Sequence, residues 1–323
     1  MKAGAKPVPM HVLGIDVGGT KTVCLLADER GEILTEARGG GANLQVAGEL
    51  EVEKILHQVM EEALRDEPIV PAAICLGVAG VDRKEDSQVV HGIMRRIGFK
   101  ARVLVVNDAL IALAAGVGDA PGVVIISGTG SIAYGRSSHD RAARAGGWGH
   151  VLGDEGSGYW IGRHALRAVV READGRGRAT ALTPRVLAHF EVATPGDLVH
   201  EIYYRHLRRQ SIAALGPVVQ RARDEGDEVA AAILHTAAAE LVIAARSVVT
   251  QLEMSHEKFL FVLAGGVFRV VPWLADELIQ RLPDVAPLSQ AQRLDVEPAV
   301  GAVRLALQEL HGRARIPEYV SNA

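Results

Sequence analysis

Two glycine-rich turns, each between two strand-like runs, constrain this chain more than any other feature. The first, "GIDVGGTKT" at residues 14–22, lies between the apolar runs "HVL" and "VCLLAD". The second, "IISGTGS" at residues 125–131, also joins two runs that favour strands. Adjacent glycines permit the positive φ angles that tight hairpins need. We therefore predict that the chain contains two halves that each open with a strand–turn–strand unit.

The elements that follow each turn are predicted in a similar order, because apolar residues recur first at strand spacing and then at helical spacing. The first half is predicted to form strands over 11–18, 21–28 and 32–39, then a helix over 52–66, a strand over 72–80, a helix over 87–98, a strand over 101–108 and a helix over 109–118. From Pro121 the second half is predicted to form two strands around its turn, a third strand over 143–149, helices over 157–173, 198–210 and 227–254, and a strand over 259–268.

This order predicts an α/β fold with two domains. A chain of 323 residues has the length of two average domains. We place the N-terminal domain at residues 1–118 and a C-terminal domain with helical insertions at 119–299. A last helix begins near Pro298, and we expect residues 300–323 to pack back on the N-terminal domain.

Composition excludes several classes of protein. The net charge is −4 and no block of Lys or Arg occurs, which argues against nucleic acid or an anionic membrane as partner. We expect no membrane-spanning segment, because no apolar run is judged to reach the roughly 18 residues required, and the N-terminus lacks the apolar region of a signal peptide. Only Cys24 and Cys75 occur, both in predicted buried strands, which indicates a reduced cytoplasmic interior.

The two turns are suited to holding phosphate. Glycine lets backbone N–H groups approach an anion closely, and the hydroxyls of Thr20, Thr22 and Thr129 add donors. Asp16, just before the first turn, is a candidate ligand of a divalent cation. The alternative is a pair of ordinary hairpins. The chain contains neither a P-loop motif nor a G-x-G-x-x-G that opens a helix, so any nucleotide site belongs to another class.

Asp108 ends the predicted buried strand "VLVVND". Ligands of open α/β sheets bind outside the carboxyl ends of the strands, so this carboxylate is placed to take a proton from an attacking alcohol or to orient it. The alternative is an N-cap of the following helix, since Asp is a favoured capping residue.

The segment "GGWGHVLGDEGSGYWIG" at residues 146–162 is predicted to form a loop that binds a polyhydroxylated ligand. Trp148 offers an apolar platform, while His150 and Asp154 offer hydrogen bonds. The alternatives are a satisfied core histidine for His150 and a helix cap for Asp154. No cysteine lies nearby and the histidine spacing is unlike a metal site, which argues against zinc.

Two further positions have an alternative explanation as simple turns. Asn43 follows three glycines, and it is either a ligand amide or a turn residue. In "LAGGV", Gly265 and Gly266 end a predicted buried strand, where they either allow a flat ring to approach or only turn the chain into a helix.

Taken together and in this order, "GIDVGGTKT", "VVNDA", "IISGTGS", "GGWGHVLGDEGSGYWIG" and "LAGGV" resemble the N-acetylglucosamine kinases. They also resemble the wider BadF/BadG/BcrA/BcrD ATPase family of the sugar kinase–Hsp70–actin superfamily, from about Val12 to Leu307. The resemblance implies two RNase H-like, actin-like ATPase domains with a central interdomain cleft. It further implies ATP-dependent phosphorylation of the 6-hydroxyl of N-acetylglucosamine, magnesium, a cytoplasmic location and a homodimer.

The resemblance also implies roles by position. Asp108 would be the base at the sugar 6-hydroxyl, and Asp16 would lie near magnesium. Two further groups are implied to bind ATP and the sugar. The ATP group consists of Gly18, Gly19, Thr20, Lys21, Gly128, Thr129 and Gly130 at the phosphates, with Gly265, Gly266 and Ala214 beside adenosine. The sugar group consists of Asn43, Asp108, Ser131, Gly147, Trp148, Gly149, His150 and Asp154.

Two departures from the vertebrate kinases concern the substrate. Ala79 replaces a hydroxyl residue, and Ile132 stands where a polar Asn is found, so the pocket is expected to be less polar. Glucosamine kinase activity therefore stays open, as do an ATPase that signals to a partner protein and a sugar sensor without catalysis. Zinc-binding glucokinases and iron–sulfur activases are disfavoured, because the cysteines that they need are absent or predicted to be buried.

Overall fold

The computed structural model describes residues 10–64, 69–81, 84–205 and 207–320, and it divides into two compact units. Unit 1 comprises the described residues up to Ala120 together with Leu294–Pro317. Unit 2 comprises Pro121–Arg293 and, of the described residues near the C-terminus, Glu318–Val320. Of the residues 300–323 that were expected to return to the first domain, those up to Pro317 belong to unit 1 and Glu318–Val320 belong to unit 2, while 321–323 lie outside the described residues.

The elements alternate between strands and helices along the chain. Before Pro121 they are β1 (His11–Val17), β2 (Lys21–Asp28), β3 (Ile33–Gly40), α1 (Leu44–Ala47), α2 (Glu49–Ala63), β4 (Ala73–Val78), α3 (Lys84–Ile97), β5 (Arg102–Asn107) and α4 (Asp108–Val117). Next come β6 (Gly122–Ser127), β7 (Ser131–Arg136), β8 (Arg141–Gly146), α5 (Gly158–Ala173), α6 (Leu182–His189), α7 (Asp197–Val199), which continues as a π-helical turn to Tyr204, α8 (Arg209–Ala213), α9 (Gly216–Asp224) and α10 (Glu228–Gln251). The chain ends with β9 (Leu260–Ala264), α11 (Val267–Val270), α12 (Pro272–Arg281), a 3₁₀ turn at Leu282–Asp284, β10 (Gln290–Arg293), α13 (Ala299–Leu310) and β11 (Glu318–Tyr319).

The two units contain sheets of the same topology. In unit 1 the order is β3-β2-β1-β4-β5, with β1, β2 and β3 antiparallel and β4 and β5 parallel to β1. In unit 2 the order β8-β7-β6-β9-β10 repeats this arrangement, and β11 adds an edge strand beside β8. This confirms the predicted α/β class with two meanders that each lead into parallel strands. The predicted third strand of unit 2 ends earlier, at Gly146, so Gly147–His150 lie in a loop.

The last helix packs on the first sheet at unusually short range. A Cβ at Gly14 would lie 2.4 Å from the backbone nitrogen of Val303, and one at Gly301 would lie 1.9 Å from the carbonyl oxygen of Ile111. Only glycine at these two positions lets α13 approach β1 on one side and α4 on the other. α13 therefore belongs to the core of unit 1 and contacts β1, β4 and α4.

Among the described residues, one helix is long and apolar enough by composition to cross a membrane. It is α10, with 24 residues and a mean hydropathy of 1.6 in its most apolar window. The expectation that no segment has the length and apolar character of a membrane span was therefore wrong. The apolar character of α10 is explained by its position in the fold, because α10 packs against α9, α12, β7 and β8 and its residues contribute to the buried core of unit 2.

Both cysteines are buried free thiols in the first sheet. Burial raises the pKa of Cys24 to about 12, and burial together with the charge of Glu309 raises the pKa of Cys75 as well. Both thiols are therefore protonated, and the predicted burial of both cysteines is confirmed.

Candidate active site

Two carboxylates at the carboxyl ends of strands lie within electrostatic reach of each other in unit 1. Asp16 is near the end of β1 and is only 9% exposed. Asp108 follows β5 and is half-buried. Burial, and next the charge of Asp108, raise the pKa of Asp16 to about 7, although Lys21 acts to lower it. The structure thus brings together two residues that the sequence predicted separately.

Asp108 is not the cap of the helix that it begins. The side chain of the preceding residue, Asn107, accepts a hydrogen bond from the backbone of Leu110 at 2.7 Å and so caps α4. Asp108 is the first residue of the helix, where a negative charge is favoured by the helix dipole. The alternative explanation of Asp108 as an N-cap is therefore wrong.

A third carboxylate of this region was not predicted. Glu297, just before α13, accepts hydrogen bonds from Lys21 Nζ at 2.6 and 2.8 Å, and Arg38 Nη2 donates to it at 3.1 Å. Burial acts to raise the pKa of Glu297, but the hydrogen bonds and charges of Lys21 and Arg38 hold it below its ordinary value. Lys21 is thus engaged in an ion pair. Because 276 positions separate Lys21 from Glu297, no local sequence motif predicted this contact.

The first glycine turn is supported by the loop that carries Asn43. The backbone nitrogen of Gly18 donates to Lys21 at 3.0 Å and closes the hairpin, and that of Ala42 donates to Gly18 at 3.0 Å. A Cβ at Gly41 would lie 2.3 Å from the carbonyl oxygen of Gly19, so the loop lies directly on the turn. Asn43 immediately precedes α1, while Gly19 and Thr20 remain exposed.

In unit 2 the second glycine turn is joined to the segment "GDEGS" by hydrogen bonds. The hydroxyls of Ser127 and Ser131 donate to the carbonyl oxygens of Gly156 at 2.8 Å and Glu155 at 2.7 Å. The backbone nitrogen of Gly158 donates to Gly128 at 2.8 Å. Two motifs that are separate in the sequence therefore form one structural unit, and the Ser131 hydroxyl is already used within it.

Asp154 links this unit to the loop after β8. Its backbone is left-handed (φ 61°), its side chain is buried, and its carboxylate accepts hydrogen bonds from the backbones of Ser131 and Gly149. Burial outweighs these hydrogen bonds and raises the pKa of Asp154. The cap of α5 is Ser157, whose hydroxyl accepts from the backbone of Trp160 at 3.1 Å. The alternative explanation of Asp154 as a helix cap is therefore wrong.

His150 is half-buried and has a specific partner. Arg209 Nη1 lies 3.3 Å from His150 Nδ1, and the ring of Tyr159 contacts the imidazole edge-to-face at 5.3 Å. Arg209, at the start of α8, was not predicted to take part in the site. Trp148 in the same loop is 62% exposed, and the guanidinium of Arg144 lies 4.9 Å from its ring centre.

The residues predicted to flank adenosine lie around the same turn of unit 2. Gly265, with φ 110°, follows β9, and a Cβ there would lie 2.3 Å from the carbonyl oxygen of Ser127. A Cβ at Gly158 would lie 3.2 Å from Ala213, from Gly128 and from Val267. Gly158 thus joins three segments, those that carry Ala214, the glycine turn and Gly266. Ala214 itself is exposed at the end of α8.

The carboxylates of unit 1 suit magnesium better than a transition metal. The described residues contain no group of three or more His, Cys, Asp or Glu side chains that could hold a metal ion. Mg²⁺ is usually bound through only one or two carboxylates, together with water and substrate phosphates. Asp16 fits this role, because its raised pKa reports a buried carboxylate with too little positive charge beside it.

The chain is similar to known proteins over nearly its whole length. Residues 13–306 match the BadF/BadG/BcrA/BcrD ATPase family. The chain is 38% identical over 302 residues to the N-acetylmuramic acid/N-acetylglucosamine kinase of Clostridium acetobutylicum, covering 93% of this chain and 99% of that one. It is 33% identical over 309 residues to the N-acetyl-D-glucosamine kinase of Dictyostelium discoideum, covering 91% and 97%. A crystal structure from Chromobacterium violaceum, described as that of a candidate N-acetylglucosamine kinase, superposes with a TM-score of 0.76 at 28% identity, covering 93% and 99%.

Proposed function

We propose that this chain, which belongs to the BadF/BadG/BcrA/BcrD ATPase family, is an ATP-dependent kinase that phosphorylates the 6-hydroxyl of N-acetylglucosamine. The observation that carries the proposal is the 38% identity to the Clostridium acetobutylicum kinase, which extends over 99% of that protein. The Dictyostelium discoideum kinase, 33% identical over 97% of its length, acts by its name on the same sugar.

In this reaction Asp108 is the proposed base. Phosphoryl transfer leaves the protein little covalent work, so positioning and charge stabilisation dominate. The Asp108 carboxylate would accept a hydrogen bond from the sugar 6-hydroxyl, orient its oxygen toward the γ-phosphate and take its proton. The position after β5 supports this role, because Asn107 caps the helix and the charge of Asp108 acts on Asp16.

Asp16 is the proposed magnesium-binding residue. When bound, Mg²⁺ supplies positive charge that offsets the charge on the β- and γ-phosphate oxygens. Lys21 and Glu297 form an ion pair close enough to act on the pKa of Asp16 in opposite directions. We infer that this pair holds the region nearly neutral, so that the remaining charge of Asp16 is left for the cation.

The remaining residues divide between nucleotide and sugar. The turns Gly18–Lys21 and Gly128–Gly130 would bind phosphates through the hydroxyls of Thr20 and Thr129, since the backbone N–H groups of Gly18 and Gly128 close their own turns. Ala214, Gly265 and Gly266 would lie beside adenosine. Asn43, Ser131, Gly147–His150 and Asp154 would contact the sugar. The hydrogen bonds among Ser131, Gly149 and Asp154 support a preorganised sugar site in unit 2.

The test is an assay of ADP release with magnesium and ATP on a panel of sugars: N-acetylglucosamine, glucosamine, N-acetylmannosamine, N-acetylmuramic acid and glucose. We expect the highest kcat/KM on N-acetylglucosamine. A preference for glucosamine would favour the alternative that the less polar Ala79 and Ile132 left open. ADP release that no sugar stimulates would overturn the kinase and favour an ATPase that signals to a partner protein.

A cytoplasmic location and a homodimer are proposed as well. The two free, buried thiols of Cys24 and Cys75 support a reducing compartment. Sedimentation of the purified protein at several concentrations tests the dimer, and a monomer at all of them would contradict it.

A further inference from the structure

Arg209 is a half-buried cation without an ion-pair partner among the residues that the structure describes. Its guanidinium makes one hydrogen bond there, to His150 Nδ1 at 3.3 Å. Two other arginines of unit 2 with similarly covered side chains are paired with carboxylates, Arg185 with Glu225 and Arg223 with Asp224. A charge removed from water is unfavourable unless it is paired. Binding of an anion would therefore stabilise Arg209.

The nearest carboxylate in the described part of the chain does not fill this role. Asp154 is close enough for the charge of Arg209 to lower its pKa. Its hydrogen bonds, however, come from the backbones of Ser131 and Gly149, and the pair with Arg209 is not within 4 Å. Asp154 therefore shapes the loop, and Arg209 keeps donors for another acceptor.

The contact with Arg209 also assigns roles to the two ring nitrogens of His150. A guanidinium has five N–H donors and no acceptor, so in this contact Nδ1 of His150 is the acceptor. Nε2 is then the nitrogen of the ring that can donate to a ligand. Arg209 and His150 together are consequently two donor side chains held by one hydrogen bond.

We propose that Arg209 and His150 form a donor pair that binds a carboxylate carried by the sugar, as in the ether-linked acid of N-acetylmuramic acid. The assignment of the ligand as a sugar rests on the proposed function. His150 favours a sugar, since it ends the Gly147–His150 segment that is held to Ser131 through Gly147 at 2.9 Å. A guanidinium binds a carboxylate through two parallel hydrogen bonds, which adds geometric selectivity. A nucleotide phosphate is the other oxyanion that such a pair would accept.

The decisive variant is Arg209→Met, which removes the charge and keeps much of the side-chain volume. Its matched control is Arg208→Met, because Arg208 is the exposed neighbour on the same segment. Arg209→Lys restores the charge without the planar fork. Hydrogen bonds to charged groups are worth enough that KM for N-acetylmuramic acid should rise about 10- to 100-fold in Arg209→Met. KM for N-acetylglucosamine should rise at least about 5-fold less than KM for N-acetylmuramic acid, and KM for ATP should change less than about 3-fold. Arg208→Met should resemble the wild type, and Arg209→Lys should recover part of the loss.

Two measurements do not depend on turnover. Calorimetry with N-acetylmuramic acid, without ATP, should show binding by the wild type and at least about 10-fold weaker binding by Arg209→Met. The ¹⁵N shifts of the His150 ring should report a hydrogen-bonded Nδ1 acceptor and a proton on Nε2, and Arg209→Met should change this distribution.

Several results would overturn the inference. One is a wild type that does not bind N-acetylmuramic acid, and another is a proton on Nδ1 of His150. In Arg209→Met, an equal rise of KM for both sugars, or a rise confined to KM for ATP, would also contradict the donor pair. Binding of N-acetylmuramic acid that depends on Arg209, in a protein that phosphorylates no sugar, would instead support the donor pair and overturn the proposed function.

Discussion

The charge of Asp108 raises the pKa of Asp16, so the acid at the end of β1 and the acid at the start of α4 act on each other within unit 1. β4 lies between β1 and β5 in the sheet, and both β1 and β5 run parallel to it. Parallel strands end at the same edge of a sheet, which is why residues distant in sequence converge there.

Asp108→Asn removes the proposed base and keeps the shape of the side chain. We expect kcat to fall about 100-fold or more, since general base catalysis contributes roughly 10²- to 10⁴-fold. The melting temperature should change little, because Asn107 and not Asp108 caps α4. Steady-state kinetics and thermal unfolding of the same preparation check both parts. Turnover equal to that of the wild type would remove Asp108 from the mechanism.

Asn107→Ala is the matched neighbour of that variant. It removes the acceptor of the 2.7 Å hydrogen bond from Leu110. We therefore expect it to lower the free energy of unfolding by about 1 kcal/mol. The two adjacent substitutions thus separate a loss of stability from a loss of chemistry.

Asp16 is expected to make stability depend on pH. Its pKa of about 7 in the folded protein lies above the ordinary 3.8. Between these values the folded state keeps a proton that the unfolded state has released, so the free energy of unfolding falls as pH rises from about 4 to about 7. Asp16→Asn has no titrating carboxyl at this position and so lacks this pH dependence. From about pH 4 to about pH 7 its free energy of unfolding should therefore rise relative to that of the wild type, by up to about 4 kcal/mol.

Urea unfolding at about pH 5 and about pH 8, in a chelator, should show about 3 kcal/mol of this difference. If the free energy of unfolding changed equally with pH in the wild type and in Asp16→Asn, the result would contradict the raised pKa of Asp16. Magnesium provides a second check of the same residue. At about pH 8 it should raise the melting temperature of the wild type more than that of Asp16→Asn, because binding to the folded state stabilises it.

Gly130→Ala tests the contact between the second glycine turn and Asp154. A Cβ at this position would lie 2.9 Å from Asp154 Oδ2, and that carboxylate is held by two backbone hydrogen bonds. We expect a loss of about 1–3 kcal/mol in the free energy of unfolding. Gly128→Ala is the control, since the nearest atom to its Cβ would be 4.0 Å away. Equal losses in chemical denaturation would show that the turn, rather than Asp154, decides the effect.

Gly301→Ala tests the close packing of α13. Its Cβ would lie 1.9 Å from the carbonyl oxygen of Ile111, a backbone atom that cannot move aside easily. We expect a destabilisation of about 3 kcal/mol or more. Gly92→Ala, also inside a helix, should instead stabilise by about 0.5–1 kcal/mol, since its nearest atom is the flexible end of Arg96 at 3.7 Å. Denaturation curves that rank the two variants the other way would contradict this account.

Local sequence predicted the secondary structure well where apolar runs are bounded by glycine or turn residues, or where apolar residues recur at helical spacing. The three strands of the first meander, the first two strands of the second, and the helices α2, α4 and α5 form close to where the sequence predicted them. The third strand of unit 2 was placed too late, since its glycine-rich end carries no such pattern. The apolar character of α10 was underestimated, because its many alanines do not form a conspicuous hydrophobic run.

The helix caps show where local reasoning reaches its end. Asp108 and Asp154 are both favoured capping residues, yet Asn107 and Ser157 carry out the capping. A cap is decided by which side chain lies opposite the free N–H groups, and this depends on backbone angles such as the left-handed conformation of Asp154. The residue types alone did not show that Asn107 rather than Asp108, and Ser157 rather than Asp154, forms the cap.

By itself, the sequence determined the α/β class, the two strand–turn–strand units, the burial of both cysteines and the residues that resemble a known family. Only the tertiary structure decided that Glu297 pairs with Lys21, that Asp154 joins the glycine turn to Gly149, and that Arg209 donates to His150. The reason is physical. Periodicity reports which face of an element is buried, whereas a contact between polar side chains far apart in the chain depends on how the elements pack.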